Sequence, residues 1–422
     1  MYLADSRSTK PAVAPDTRPG RRPAAVPGTV LALGAVSLIT DVSSEMVTAV
    51  LPLYVVAGLG LSPLGFGLLD GINNGVGALV RLAGGHLADR GDRRHKIVAG
   101  VGYGLSAVCK PLLLLAHTLP AISAVLAADR TGKGLRTAPR DAMISLATEP
   151  EHRGRAFGVH RAMDTTGALL GPLVAFAVLR ATVDGYDAVF AVSGCVAVLG
   201  VLVLVLFVPR HICPAGPAQP PEPERPTLRD ALGLLRRPQL RRLTVCAALL
   251  GLTTVSDSFL YLLLQREENL PAHLFPLLPL GTAAVFLMLA VPLGALGDRI
   301  SRRRLFLAGH GVLLLGYGLV LSPWRGVPAV VAVLVLHGTF YAATDGILAA
   351  ATAGAVPARH QGAGQALVGT GQALARFACS LAFGAAWKLW GERNALAVTA
   401  VALAVSAVVA SFVLRTADEV PA

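Results

Sequence analysis

An all-α integral membrane protein, with twelve transmembrane helices in two six-helix bundles, is the fold class this sequence predicts, and three observations predict it. Of 422 residues, 54% are hydrophobic and only 15% charged, and the mean hydropathy is +0.62, a balance that a water-soluble domain of this size does not carry. Apolar stretches close to the roughly 20 residues needed to cross about 30 Å of hydrocarbon follow one another with short connections. The 45 glycines and long Ala/Val/Leu runs suit closely packed membrane helices better than a barrel of alternating ten-residue strands.

Residues 1–26, rich in Pro, Arg, Thr and Ala, lack an apolar core and a small-residue cleavage site. They predict a disordered cytoplasmic tail, not a cleaved signal peptide. An amino-terminal bundle over 27–209 follows, with spans at 28–58, 62–87, 97–116, 119–146, 155–180 and 186–208. Residues 210–240 read as a cytoplasmic linker, because PAGPAQPPEPERP cannot bury enough apolar surface to fold alone. Its second part predicts a short amphipathic helix on the membrane surface, with Leu232, Leu235 and Leu240 inward and the arginines toward lipid phosphates. A carboxy-terminal bundle over 241–415 holds spans at 241–264, 272–296, 305–322, 327–355, 362–386 and 392–414, and 416–422 form a tail.

The net charge of +12 does not point to nucleic acid once the Lys and Arg residues are placed along the chain. With a cytoplasmic amino terminus, most fall in cytoplasmic segments, and only Arg180, Arg266, Arg325, Lys388 and Arg393 lie outside. The positive-inside rule therefore predicts both termini in the cytoplasm. Five scattered cysteines form no CxxC and no Cys/His cluster, so no disulfide framework, metal site or cofactor is expected.

The chain repeats itself once. Gly85-His-Leu-Ala-Asp89-Arg90-Gly-Asp92-Arg93-Arg94 follows the second span, and Gly294-Ala-Leu-Gly-Asp298-Arg299-Ile-Ser301-Arg302-Arg303 follows the eighth. On these two copies the sequence resembles the major facilitator superfamily, whose loop signature is G-x-x-x-D-R/K-x-G-R-R/K. Asp92 and Ser301 stand where the family has its second glycine. The resemblance covers the chain after residue 27 and implies a major facilitator fold and a bacterial secondary transporter in the cytoplasmic (inner) membrane. Arg130-Thr-Gly-Lys133-Gly134 looks like a family motif whose arginine is implicated in proton coupling, and Gly167-Ala-Leu-Leu-Gly171-Pro172 is similar to a glycine-proline motif of antiporters. These matches imply an antiporter-like carrier.

Charged groups at membrane depth cost a few kcal/mol each, so they face a cavity, pair with one another, or mark a path. Asp41 and Glu45 stand four apart on one face of the first span, either as a proton-loading pair or as static partners for arginines of the fourth. In the fourth span Arg130 and Lys133 are expected to line the path, whereas Arg136 and Arg140 sit near the cytoplasmic end as snorkelling or bracing groups. His160, Arg161 and Asp164 share a face of the fifth span. Asp257, and the Tyr341–Asp345 face with His337, are candidate contacts from the second half, and Arg376 has only Asp257 and Asp345 to neutralise it there. Asp70, Asn74, Gly77 and Arg81 form a polar stripe read chiefly as interhelical hydrogen bonding. In the loop copies, Asp89 and Asp298 are expected to cap or pair when the cytoplasmic side closes, and most of Arg90, Arg93, Arg94, Arg299, Arg302 and Arg303 to anchor anionic lipid.

The expected function is alternating-access transport of a small organic solute, with proton-coupled efflux first. Proton-coupled uptake of an organic anion is the alternative, because the basic arc of the fourth span offers an anion site. A transport-inactive receptor or scaffold is more remote. No loop constellation supports an enzyme, and no P-loop supports ATP-driven pumping. The expected partners are the solute, protons and membrane lipids, with the chain a monomer.

Overall fold

The computed structural model describes residues 26–88, 95–149, 152–182, 185–209, 233–356 and 361–415. Among these residues the chain is helical and contains no strand. The first half comprises α1 (Gly28–Leu53), α2 (Pro63–Ala88), α3 (His95–Leu112), α4 (Leu119–Leu146), α5 (Arg153–Ala181) and α6 (Gly185–Phe207). The second comprises α7 (Pro238–Gly251), α8 (Asp257–Glu267), α9 (Leu277–Arg299), α10 (Arg302–Leu321), α11 (Val327–Gly354), α12 (Gln361–Trp390) and α13 (Glu392–Arg415). The first-copy loop residues Asp89, Arg90, Arg93 and Arg94 lie outside the described residues, as do 1–25, 210–232 and 416–422.

The predicted seventh span is broken rather than continuous: α7 ends at Gly251 and α8 begins at Asp257. The intervening Leu-Thr-Thr-Val-Ser run offers its backbone other partners. Thr254 Oγ1 donates to the Leu250 carbonyl at 2.8 Å, and the Val255 N–H donates to Tyr317 Oη at 2.8 Å instead of continuing the helix. Asp257 then occupies the first turn of α8, where its carboxylate offsets the positive end of the helix. The third span also stops early, at Leu112, because Pro111 has no N–H to carry the helical ladder and the chain tightens into i→i+3 bonds. In the linker's second part Leu234, not Leu235, is buried, within a short 3-10 turn over Leu234–Arg236 that precedes α7.

Eight helices among the described residues are long and apolar enough to cross a bilayer. The ionised groups along α4 keep it out of that set, although it sits among the others: α2 and α3 pack on α4, and α1 packs on α5 and α6. In the second half α11 packs on α9 and α10, and α12 on α7 and α13. The outward faces are apolar. Val198, Leu202 and Val205 of α6, and Val398, Val401, Val405, Val408 and Phe412 of α13, recur every three or four residues and are exposed, as a lipid-facing stripe requires.

Glycine decides how close some helices come. A Cβ on Gly102 of α3 would lie 2.7 Å from the carbonyl oxygen of Gly132 on α4, and one on Gly132 the same distance from that of Gly102. A Cβ on Gly171 of α5 would lie 2.7 Å from Glu45 Cβ and 2.9 Å from the Val42 oxygen, so the motif Gly167–Pro172 presses α5 onto the face of α1 that carries Asp41 and Glu45. The halves meet chiefly along α2 and α12, and again between α5 and α9.

Candidate functional site

The close approach of α1, α4 and α5 creates a dense charge cluster. Asp41 Oδ1 accepts from Arg136 Nη2 at 3.3 Å and lies 3.8 Å from Lys133 Nζ. Lys133 Nζ in turn stands 3.9 Å from Glu45 Oε1. The Asp164 carboxyl lies 3.7 Å from Arg140 Nη1, and Arg140 Nη2 is 2.9 Å from Asp141. A layer away, Lys110 and Asp129 form a fully buried pair at 2.9 Å, with Arg130 3.8 Å from the other Asp129 oxygen and 3.5 Å from Thr48 Oγ1. Arg136 also lies over the Tyr103 ring, 4.5 Å from its centroid. Arg136 is only 3% exposed, so it is a core partner of Asp41 rather than a snorkelling group.

A second cluster occupies α8, α11 and α12. Asp257 Oδ1 accepts from Tyr341 Oη at 2.6 Å and contacts His337 Nε2 at 3.0 Å. Arg376 sits behind Tyr341, 5.8 Å from the ring centroid, in the electrostatic field of Asp257 and Asp345. Between the two halves lies a cavity of about 400 Å³, to which α1, α2, α5, α8, α9 and α11 contribute. Its ionisable lining is Glu45, Asp70, Asp257 and Asp345, and its aromatic walls are Tyr261, Phe275, Phe286 and Tyr341.

One end of this cavity is shut by contacts across the halves. Asp70, 6% exposed on α2, accepts from Ser256 Oγ at 2.9 Å and from Ser380 Oγ of α12 at 2.6 Å. The rings of Phe66, Phe259, Phe383 and Trp387 cluster there, with centroids 4.9 Å apart for Phe66–Phe259 and for Phe259–Phe383. Phe176 of α5 faces His273 from the second half at 6.0 Å. This is the end that bears the α1–α2 and α12–α13 turns.

The structure thus brings Asp41, Glu45, Lys133 and Asp164 into one cluster, sets Arg130 beside Asp129, and gathers Asp257, Tyr341 and Asp345 on the cavity wall, with Arg376 behind Asp257 and Tyr341. His160 is 3% exposed, and neither ring nitrogen has a hydrogen-bond partner among the described residues, while Arg161 beside it is exposed. Gly85 and Gly294 fall on α2 and α9, and Asp298 lies near the end of α9. Arg299 and Arg302 are exposed, and Arg303 donates to the Leu414 and Ser411 carbonyls at 3.2 and 2.8 Å, which ties α10 to α13. The sequence pattern does not announce the Lys110–Asp129 pair or the Asp70–Ser256–Ser380 bridge. The polar stripe of the second span holds a signal for Asp70; nothing local distinguishes Ser380.

Comparison with known proteins accords with this architecture. The Major Facilitator Superfamily profile matches residues 33–290 and 259–422. The chain is 26% identical over 324 residues to an uncharacterized MFS-type transporter of Methanocaldococcus jannaschii, covering 74% of this chain and 77% of the relative. Among solved structures, it resembles a nucleoside transporter, NupG, with a TM-score of 0.77 at 14% identity, covering 91% and 99% of the two chains. It also resembles a bacterial homolog of the human lysosomal transporter Spinster, inward-facing and unoccupied, with a TM-score of 0.74 at 16% identity, covering 92% and 96%.

Proposed function

The chain belongs to the Major Facilitator Superfamily and is a multi-pass membrane transporter, and from that premise we propose that it exports a small organic solute in exchange for protons. In this reading the two halves, 27–209 and 241–415, rock about the central cavity. Both termini lie in the cytoplasm, so the closed end faces outward and the conformation is inward-facing. One chain supplies the whole cavity and acts as a monomer in the cytoplasmic membrane.

The observation that supports the coupling is the cluster of acids and bases where α1, α4 and α5 meet, with Asp41 held by Arg136 at 3.3 Å and Lys133 at 3.8 Å and Asp164 by Arg140 at 3.7 Å. Two carboxyls in one cluster of limited positive charge favour a proton on one of them. Without that proton, Asp41 and Asp164 both draw on Lys133, Arg136 and Arg140, which biases the balance between the two states of the carrier. A line of ionisable groups leads to these acids from the cavity: Glu45 to Lys133 at 3.9 Å and Lys133 to Asp41 at 3.8 Å. It continues from Asp164 to Arg140 at 3.7 Å and on to Asp141 at 2.9 Å, toward the α4–α5 connection. By the sequence repeat, Asp89 and Asp298 are assigned a gating role.

Proteoliposomes containing the purified protein and a pH-sensitive dye test this reading, with a panel of organic cations, anions and neutral solutes added under an imposed pH gradient. Solute-driven proton flux is expected from the wild type. It is expected to fall at least about tenfold in Asp164→Asn, which keeps the side-chain shape and an acceptor for Arg140. Absence of solute-driven flux in the wild type, or unchanged flux in both Asp164→Asn and the Asp41→Asn/Glu45→Gln double variant, overturns proton coupling.

A further inference from the structure

Building on the carrier reading above, we infer that the transported solute is an organic cation with an aromatic or otherwise apolar body. The cavity lining carries four carboxyl side chains, Glu45, Asp70, Asp257 and Asp345, and among the described residues no lysine or arginine lines it. The basic residues of α4 do not alter that sign at the wall. Lys133 is shared between Asp41 and Glu45, Arg136 engages Asp41, Arg140 engages Asp141 and Asp164, and Arg130 stands beside the buried Lys110–Asp129 pair. The positive end of α8, which would otherwise favour an anion, is already answered by Asp257 in its first turn.

The four acids are not equivalent. Asp70 is satisfied by serine hydroxyls, and Asp257 by Tyr341 and His337. Glu45 has a 3.9 Å contact with Lys133, and Asp345 is exposed, with Arg376 acting on it through space. Asp345 is therefore the carboxylate most open to a ligand, and Glu45, which shares Lys133 with Asp41, is the second, one from each half, so a cation held between them touches both moving parts. The remaining wall is aromatic: Tyr261, Phe275, Phe286 and Tyr341 line it, and aromatic rings are the groups whose quadrupoles attract a cation once water has been displaced. An anion here gives up its hydration shell to meet like charge in a low-dielectric site. A neutral solute leaves Asp345 desolvated with only the field of Arg376 to compensate it. The volume of about 400 Å³ falls within the range that holds drug-sized molecules. Exchange for protons follows from the same groups, since protonating the carboxylates removes what holds the cation.

Equilibrium binding to the full-length purified protein in detergent tests the solute class without depending on transport. The probes are tetraphenylphosphonium, the similarly shaped anion tetraphenylborate, and a set of smaller aromatic ammonium ions. Saturable binding is expected for one or more of the cations and not for the borate. Affinity is expected to fall at least tenfold in Asp345→Asn and about threefold in Phe286→Leu, which keeps apolar bulk but removes the ring. Elution as a single monodisperse species confirms that each variant is folded. Borate binding equal to or tighter than the cations, binding by none of the cations, or cation binding unchanged in Asp345→Asn overturns the inference. Anion-driven proton flux in the proteoliposomes sinks the solute class and spares the coupling. Cation binding without any proton flux does the reverse.

Discussion

Replacing Gly67 with valine is expected to abolish most transport while leaving the protein folded and in the membrane. Gly67 sits on α2 where it meets α12, and a Cβ there would collide with the Ser380 carbonyl oxygen; the reciprocal position, Gly384, would place its Cβ 2.6 Å from the Pro63 oxygen. The obstacle is helical backbone on both sides, which cannot swing away as a flexible side chain does. Overpacking of this kind costs about 1–3 kcal/mol, and here the cost falls on one conformation, the one in which this end is shut. Each half keeps its own packing, so the chain folds. The closed state loses roughly ten- to a hundredfold in population, and a cycle that must pass through it slows accordingly. Two measurements check this. Transport by Gly67→Val and by Gly384→Val should each fall at least about tenfold. The distance between spin labels on cysteines replacing Leu64 and Leu389, exposed residues of α2 and α12, should lengthen in Gly67→Val. Transport near the wild-type rate would show that this approach is no part of the cycle.

The largest stability effect is expected at Lys110. Its ammonium is 2.9 Å from Asp129 with side-chain exposures of 2% and 5%, so neither charge has water to fall back on. Lys110→Met leaves the Asp129 carboxylate with Arg130 at 3.8 Å and, among the described residues, no close donor for Oδ1, and the loss should be about 3–5 kcal/mol. Lys110→Met combined with Asp129→Leu removes both charges and should recover more than half of it, because a buried pair contributes little net stability over an apolar substitute. Thermal unfolding of the purified variants in one detergent reads both effects. Equal midpoints for Lys110→Met and the wild type would show that Asp129 does not depend on the ammonium.

Part of the site is legible in the amino-acid order and part is not. Asp41 and Glu45, and Asp257 with the Tyr341–Asp345 face, stand out because helical spacing places a pair on one side of a span. Arg136 is not the snorkelling group that its place near the helix end suggests. Position along α4 is readable from residue counting, but the rotation of α4 against α1 and α3, which turns Arg136 onto Asp41 and over Tyr103, is set by packing. The Asp70 bridge joins residues 186 and 310 positions apart, and no local pattern announces such a pairing. The acids of α1 and α5 that pair with the basic arc of α4 are set by packing in the same way.

Membrane insertion, the positions of the helices and the twofold repeat come from sequence alone, since hydropathy over about 20 residues and the motif after the second and eighth spans are local quantities. Tertiary structure alone decided the break at residues 252–256, the pairing of the acids with the bases, and the negative sign of the cavity. The physical reason is that a buried charge takes its meaning from its nearest opposite charge. For a helix in a bundle, that neighbour is chosen by rotation and depth against other helices, which glycine contacts such as Gly167 on Leu38 and Gly171 on Glu45 set and no one-dimensional pattern encodes.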